Sequence, residues 1–187
     1  MKKEIISNYI ENVIQTCKII NHNEIANIYD ILIEAACVGG RIYICGNGGS
    51  ASTASHFQTD LNDAFSIALK LMPATCLADN ISTIMAISND YSYDDVFLHQ
   101  LKYILNKKDI LITISGSGNS TNVIKAAEYA KNKGNIVVSM VGFDGGELKE
   151  LSDYYLHVPV DNMQISEDLH LLCCHLLSTL IREYRNI

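Results

Sequence analysis

The 187-residue chain has no tryptophan, only two prolines (Pro73 and Pro159), and only 19% Asp, Glu, Lys and Arg together. It has no apolar run near the roughly 18 residues that a membrane-spanning helix needs. Its first residues, MKKEIISNYIENV, mix charge with apolar side chains and lack the hydrophobic core of a signal peptide. Basic charge is also short. Lys and Arg number 14 against 21 Asp and Glu, a net charge of −7, which argues against nucleic-acid binding by bulk charge but leaves room for a local anion pocket. The six cysteines (17, 37, 45, 76, 173 and 174) form no Cys-x-x-Cys pair, and several lie inside apolar runs. They are expected as buried, reduced thiols of a cytoplasmic protein. Repeats, low-complexity tracts and Pro/Gly-rich linkers are absent, so residues 1–187 are read as one domain. At 48% hydrophobic residues the chain is not disordered.

Periodicity supplies the elements. Ile5, Tyr9, Val13, Cys17 and Ile20 fall at helical spacing, as do Ile25, Ile28, Ile31, Leu32 and Ala36. Residues 1–38 thus read as two amphipathic helices joined by a polar Asn-His-Asn turn, the second ending at Gly39-Gly40. Short apolar runs then alternate with helical stretches. Strands are predicted at 41–45, 73–78, 109–115, 135–142 and 154–159. Helices are predicted at 50–62, 81–88, 93–105, 121–133 and 165–185, with a helical turn at 146–152. Such alternation calls for an α/β fold, a parallel sheet covered by helices on both faces. Ligands of such sheets bind past the carboxyl ends of the strands.

Two glycine- and serine-rich loops follow strands. Gly46-Asn47-Gly48-Gly49-Ser50 lets backbone approach a ligand and opens a helix whose N–H groups favour anions. Gly46, Gly48 and Ala51 also fit the dinucleotide pattern G-x-G-x-x-G/A. That pattern wants a strand-ending acidic residue about 20 positions on, whereas the first here is Asp79. A plain structural turn is the remaining alternative. The second loop, Ser115-Gly116-Ser117-Gly118-Asn119-Ser120, offers hydroxyls and N–H groups to one phosphate, or Ser120 serves only as a helix N-cap. Two such loops on neighbouring strand ends suit a sugar phosphate, one holding the phosphate and the other the polar body.

His56 and Asp60 are stacked four apart on one helix face, either as a solvated polar patch or as a metal-binding or acid–base pair. On the last helix Glu167 and His175 are eight apart, about 80° around the axis and two turns along it. His175 sits in an apolar stretch, LLCCHLL, and is expected to be partly buried. His170 lies about 140° around the helix from it.

Taken together, CGNGGSASTASHF, SND followed by YDDVF, ISGSGNSTNVIKAAEYA, GFDGGEL and SEDLHLLCCHLL resemble the sugar isomerase (SIS) domain family, with its phosphoheptose isomerase branch the nearest match. The resemblance runs from the N-terminal helix pair to the last helix. It implies a three-layer sandwich around a five-stranded parallel sheet in flavodoxin-like order, with the helix pair used for oligomerisation. It implies a homotetramer with active sites at subunit interfaces and a sugar-phosphate substrate, with neither nucleic acid nor membrane as partner. By the same resemblance Ser115, Gly116, Ser117 and Ser120 hold the phosphate. Asn47, Gly48, Gly49, Ser50, Asn89, Asp90 and Glu167 contact the substrate, and Asp60 and His175 transfer protons. It further implies one zinc per subunit on His56, Asp60, Glu167 and His175, and no nucleotide cofactor.

Three positions depart from the family pattern. Asp60 replaces a Glu, so its carboxylate must sit more than about 1 Å closer, or act through a metal or water, to stay within hydrogen-bond reach. Glu167 replaces a Gln and adds negative charge, which favours a divalent metal. An Arg of the family has no counterpart around Ala64. The implied activity is aldose–ketose isomerisation of sedoheptulose 7-phosphate to D-glycero-D-manno-heptose 7-phosphate through an enediol, for heptose-containing glycans. The alternative is a non-catalytic SIS-domain regulator or replication-initiator-associating protein. Such proteins tend to lose the first-loop Ser or the final His, whereas Ser50 and His175 are both present.

Overall fold

The computed structural model describes residues 1–71 and 73–184. Its elements run α1 (Lys2–Ile19), α2 (His22–Cys37), β1 (Ile42–Gly46), α3 (Gly48–Leu69), β2 (Ala74–Cys76), α4 (Ile81–Asp90), α5 (Val96–Ile104), β3 (Ile110–Ser115), α6 (Thr121–Asn132), β4 (Ile136–Val141), α7 (Gly146–Leu151), β5 (Tyr154–His157) and α8 (Met163–Glu183). All strand pairs are parallel, in the order β2-β1-β3-β4-β5. This is the flavodoxin-like order, and strand direction of travel reverses between β1 and β3.

Alternation along each strand sorts the core into two layers. Ile42 and Ile44 of β1, Ile110, Ile112 and Ile114 of β3, and Val138 and Met140 of β4 pack with α2, α3 and α8. Tyr43, Cys45, Leu111, Val137 and Val141 pack on the other face with α4 to α7. The near-continuous Ile/Val/Leu content of these strands reflects burial on both faces. α1 is the exception. Ile5, Ile6, Ile10, Ile14 and Ile19 are exposed, and Thr16 is its one residue in the buried class. None of the described helices is long and apolar enough to cross a membrane.

Several boundaries differ from the sequence reading. α3 extends to Leu69, seven residues past the predicted end, because Ala64 and Phe65 continue its buried stripe until Lys70 turns left-handed at the C-cap. The predicted helix 93–105 splits into a 3-10 turn, Tyr93–Asp95, and α5, since Ser92 caps the turn by accepting from the Asp94 N–H. The expected end of the last helix, residue 185, lies outside the described residues. The cysteines divide: Cys45, Cys76, Cys173 and Cys174 are buried, Cys17 is half-buried and Cys37 is exposed, all as free thiols. Burial pushes the Cys76 and Cys173 thiols up to about 12, which keeps them protonated and unreactive.

On α8 the buried stripe holds Ser166, Leu169, His170, Cys173, Cys174, Leu177 and Ile181. His170 is therefore the core histidine, and its two ring nitrogens have no hydrogen-bond partner. Burial among apolar neighbours lowers it to about 4. The unfolded chain takes up this proton near pH 6.5 and the folded chain only near pH 4. Stability from this residue is therefore complete above pH 6.5 and declines as the pH falls toward 4, by about 3 kcal/mol at most. Urea unfolding of the His170→Leu variant is expected to show a flatter pH dependence across that window than the parent. An equal slope in the two proteins would exclude His170 as the source.

Candidate functional site

The parallel register brings the carboxyl ends of the central strands level. Gly46 of β1 lies beside Ile114 of β3, and Ser115 lies beside Val141 of β4. The two loops predicted to bind ligand therefore face each other at the β1/β3 switch point. Between them is a cleft of about 240 Å³. One side is Asn47, Gly48, Gly49 and Ser50, and the other is Ser115, Gly116, Ser117 and Ser120, with Met163 and Glu167 of α8 completing it.

Two helices open toward this cleft without side-chain caps. Ser120 occupies the N-cap position of α6, but its hydroxyl makes no capping bond. It instead lies 3.3 Å from the Ser115 hydroxyl. Ser120 thus does not cap through its side chain, and the hydroxyls of Ser115 and Ser120 cluster at an uncapped helix end. The loop is shaped by Gly118 N–H donating to the Ser115 carbonyl at 3.1 Å and Oγ at 3.2 Å. Gly118 has φ +67°, and a Cβ there would collide with the Gly145 carbonyl. The 142–146 turn thus backs the serine loop, with the Gly142 N–H donating to the Gly116 carbonyl at 2.9 Å.

Asn47 occupies the N-cap position of α3, also without a capping bond. Its side chain is engaged elsewhere. Nδ2 donates to Asn122 Oδ1 at 2.8 Å, while Oδ1 accepts from Asn122 Nδ2 at 2.9 Å and from the Tyr93 hydroxyl at 2.9 Å. The Glu167 carboxylate lies over Gly49, where a Cβ would overlap it. A carboxylate beside the positive end of a helix is favourably placed.

α3 and α8 run parallel. Gly49 faces Glu167, His56 faces His175, and Asp63 Oδ2 accepts from Arg182 Nη2 at 2.8 Å. Along this seam His56, Asp60 and His175 converge. Asp60 Oδ2 is 3.6 Å from Nε2 of each histidine, and the two Nε2 atoms are 3.5 Å apart. The shorter Asp side chain comes within 3.6 Å of both imidazoles without hydrogen-bonding either. The histidine side chains are each 49% exposed and Asp60 21%. The expectation that His175 is partly buried by its apolar neighbours is thereby revised, since it lies off the buried stripe of α8.

Three donors on a tetrahedral zinc at about 2.0–2.2 Å lie about 3.3–3.6 Å from one another. The His56–Asp60–His175 spacings match, and two imidazoles with one carboxylate leave one position open, the pattern of a catalytic zinc site. Glu167 is not part of this set. Eight residues of helix place it about 12 Å along α8 from His175, and its carboxylate is at Gly49.

Asn89 and Asp90 are not brought to this chain's cleft. They are exposed on the last turn of α4, with Asn89 Nδ2 donating to Asp90 Oδ1 at 2.9 Å. Sequence reasoning singled out neither Met163, which lines the cleft, nor Asn122 and Tyr93, which bond to Asn47 beside it. Asn122 had a signal, being the one polar member of the α6 stripe that also holds Val123, Ala126, Ala127 and Ala130.

The SIS domain model matches residues 7–142. The phosphoheptose isomerase of Helicobacter pylori (strain P12) is 44% identical over 154 residues, covering 82% of this chain and 80% of that protein. The phosphoheptose isomerase of Aliarcobacter butzleri is 36% identical over 183 residues, 97% of each chain. Among solved structures, a phosphoheptose isomerase from Neisseria gonorrhoeae superposes with TM-score 0.90 at 29% identity, covering 97% of this chain and 98% of that one.

The serine loop generates a direct test. Gly118→Ala places a Cβ in left-handed backbone, which costs about 1–2 kcal/mol, and drives it against Gly145. A lower melting temperature and weaker inorganic-phosphate binding by calorimetry are expected. Unchanged phosphate affinity in the folded variant would remove the loop as the phosphate seat.

Proposed function

The chain belongs to the SIS domain family, and on that premise we propose that it is an aldose–ketose isomerase converting sedoheptulose 7-phosphate to D-glycero-D-manno-heptose 7-phosphate. One observation carries the reading. An anion-accepting cleft and a His–Asp–His set lie on the same α3–α8 seam. Gly49 and His56 are about 10 Å apart along α3 by helix rise. That separation suits a substrate with phosphate at one end of an extended sugar chain and its reacting carbons at the other.

The serine loop and the open N-terminus of α6 take the phosphate through hydroxyls and N–H groups, and the open first turn of α3 takes the sugar. Asp60 and His175 carry the proton transfers. A base removes a proton from C1 while the C2 oxygen is protonated, giving the 1,2-enediol. The proton is then delivered to C2 while the C1 hydroxyl gives up its own proton to the group that had protonated the C2 oxygen, leaving the C1 oxygen as the aldehyde oxygen. Asp60 faces the imidazoles with Oδ2, so its second oxygen is the one available for this exchange. A zinc ion held by His56, Asp60 and His175 would supply Lewis acidity at the substrate oxygens. Glu167, at Gly49, belongs with the substrate contacts in this reading.

The exposed isoleucines of α1, with the exposed Leu172, Leu176 and Leu180 of α8, support a homotetramer in which α1 packs between subunits and Asn89 and Asp90 meet a neighbour's cleft. The unbridged thiols suit the cytoplasm.

His175→Ala is expected to lower turnover of sedoheptulose 7-phosphate, followed by aldehyde trapping, at least about a hundredfold. Elemental analysis of the same preparation is expected to show less zinc than in the parent. Turnover within a few-fold of the parent would remove His175 from the chemistry. Tight sugar-phosphate binding without any turnover in the parent would make the chain a binding module instead. Light scattering is expected to give the mass of four chains for the parent and a smaller species for the Ile6→Glu/Ile10→Glu variant. A monomeric parent would refute the assembly.

A further inference from the structure

The first loop presents a problem that its own residues do not solve. Asparagine is among the preferred N-cap residues because its side-chain oxygen readily accepts a hydrogen bond from the first turn. Asn47 is in that position with extended backbone, φ −110° and ψ 153°, yet caps nothing. A capping Asn47 would occupy donors of the α3 first turn, which the proposed function needs for substrate.

Its neighbours account for the diversion. Asn122 is 2% exposed and commits both ends of its amide to Asn47, donating at 2.9 Å and accepting at 2.8 Å. This closed amide pair spans the switch point and joins the start of α6 to the start of α3. The Tyr93 hydroxyl donates to the same Asn47 oxygen at 2.9 Å, from the 3-10 turn three residues after Asp90. Asn47 Oδ1 therefore already has two donors when α3 would offer a third. Breaking the pair leaves a buried Asn122 amide unsatisfied, which opposes release.

We infer that Asn122 and Tyr93 are positioning residues that hold Asn47 off its own helix, keeping the α3 first turn open to substrate and fixing the separation of the sugar and phosphate seats. This rests on the isomerase reading for its substrate, but the hydrogen-bond arrangement can be tested without it. Asn122 needs no contact with the ligand to act in this way. The serine loop follows β3 and keeps its own bonds to Ser115 and Gly142, so the phosphate seat does not depend on the pair.

The test uses the full-length chain and its Asn122→Ala, Tyr93→Phe, Asn47→Ala and Asn47→Ala/Asn122→Ala variants. Three measurements are made: kinetics on sedoheptulose 7-phosphate, inorganic-phosphate affinity by calorimetry, and ligand-free hydrogen–deuterium exchange over residues 46–52. Loss of one such hydrogen bond corresponds to about a 3–10-fold change. The KM of Tyr93→Phe is expected to rise by that factor and that of Asn122→Ala by about tenfold or more, with kcat less affected and phosphate affinity within twofold of the parent. The double variant is expected to be no worse than the poorer single one, because both remove the same pair. Exchange over 46–52 is expected to change in Asn122→Ala, while residues 146–152 do not.

A general loss of folding would weaken phosphate and sugar phosphate alike, and that result overturns the proposal. So do additive effects in the double variant, or exchange over 46–52 that matches the parent. If the parent fails to turn over the sugar, the isomerase reading falls, and hydrogen exchange alone then decides the positioning role. Should Asn122→Ala not fold, Tyr93→Phe, which removes only the hydroxyl of an exposed side chain, carries the same comparison.

Discussion

The parallel packing of α3 against α8 is the constraint on which the rest depends. Both helices bury their apolar faces against one side of the sheet, α3 through Ala54, Phe57, Leu61 and Phe65, and α8 through Ile165, Leu169, Cys173 and Leu177. Because the two run the same way, each step along one is matched by a step along the other. The N-terminal turns meet at the cleft, with Gly49 beside Glu167. Two turns later His56 meets His175, and two turns beyond that Asp63 meets Arg182. A slip of one residue would rotate His175 by about 100° and take it out of reach of Asp60. The buried Phe57 lies next to His56 in sequence, so the packing that fixes the helix pair also aims the imidazole.

The cleft meets an electrostatic difficulty with little formal charge. The chain is net negative, and the cleft lining contains no Lys or Arg and one carboxylate, Glu167. A phosphate bound there relies on serine hydroxyls, backbone N–H groups and the α6 N-terminus, while the α3 N-terminus faces the polar body of the sugar. These donors are fixed in place by the sheet and need no reorganisation, which compensates for their small individual charge. Their availability depends on the absence of side-chain caps at Asn47 and Ser120, and this makes the hydrogen bonds that occupy Asn47 as relevant to binding as the donors themselves. Glu167 over Gly49 is the local counterweight, a carboxylate resting where partial positive charge is concentrated.

The layering of the fold was legible because it rests on short-range pattern: Ile-x-Ile in β1, Ile-Leu-Ile-Thr-Ile in β3, and glycines where the strands stop. The two loops were legible for the same reason. Boundaries set by tertiary packing were not, as at Leu69, where burial of Phe65 carries α3 past its apparent end. On α8 the periodicity gave the angle between His170 and His175, but both sit among apolar neighbours, so local composition did not tell which faces the core. Glu167 and His175 were grouped by resemblance, whereas the eight-residue helical rise keeps them apart. Tyr93 opens the YDDVF motif, but its link to the first loop was not legible, because its partner Asn47 is 46 positions away and the contact exists only once the sheet has formed.

Exposure of the His–Asp–His set bears on how the chemistry is completed. Each histidine is about half exposed in the single chain. Proton transfer to and from carbon benefits from a site that water does not flood, because electrostatic stabilisation weakens in high dielectric and reactive intermediates are lost to solvent. No segment of the described chain closes over these imidazoles. What the chain does offer is unpaired apolar surface: the isoleucines of α1, and Leu172 and Leu176, which flank His175 on α8 by three positions and one. A surface that buries those leucines would also shield His175. The proposed oligomerisation and catalysis would then be coupled through one helix, whose inner stripe builds the core and whose outer stripe surrounds the proposed proton-transfer group. In the proposed assembly the neighbouring subunit would supply the low-dielectric environment that the exposed α3–α8 seam of an isolated subunit lacks.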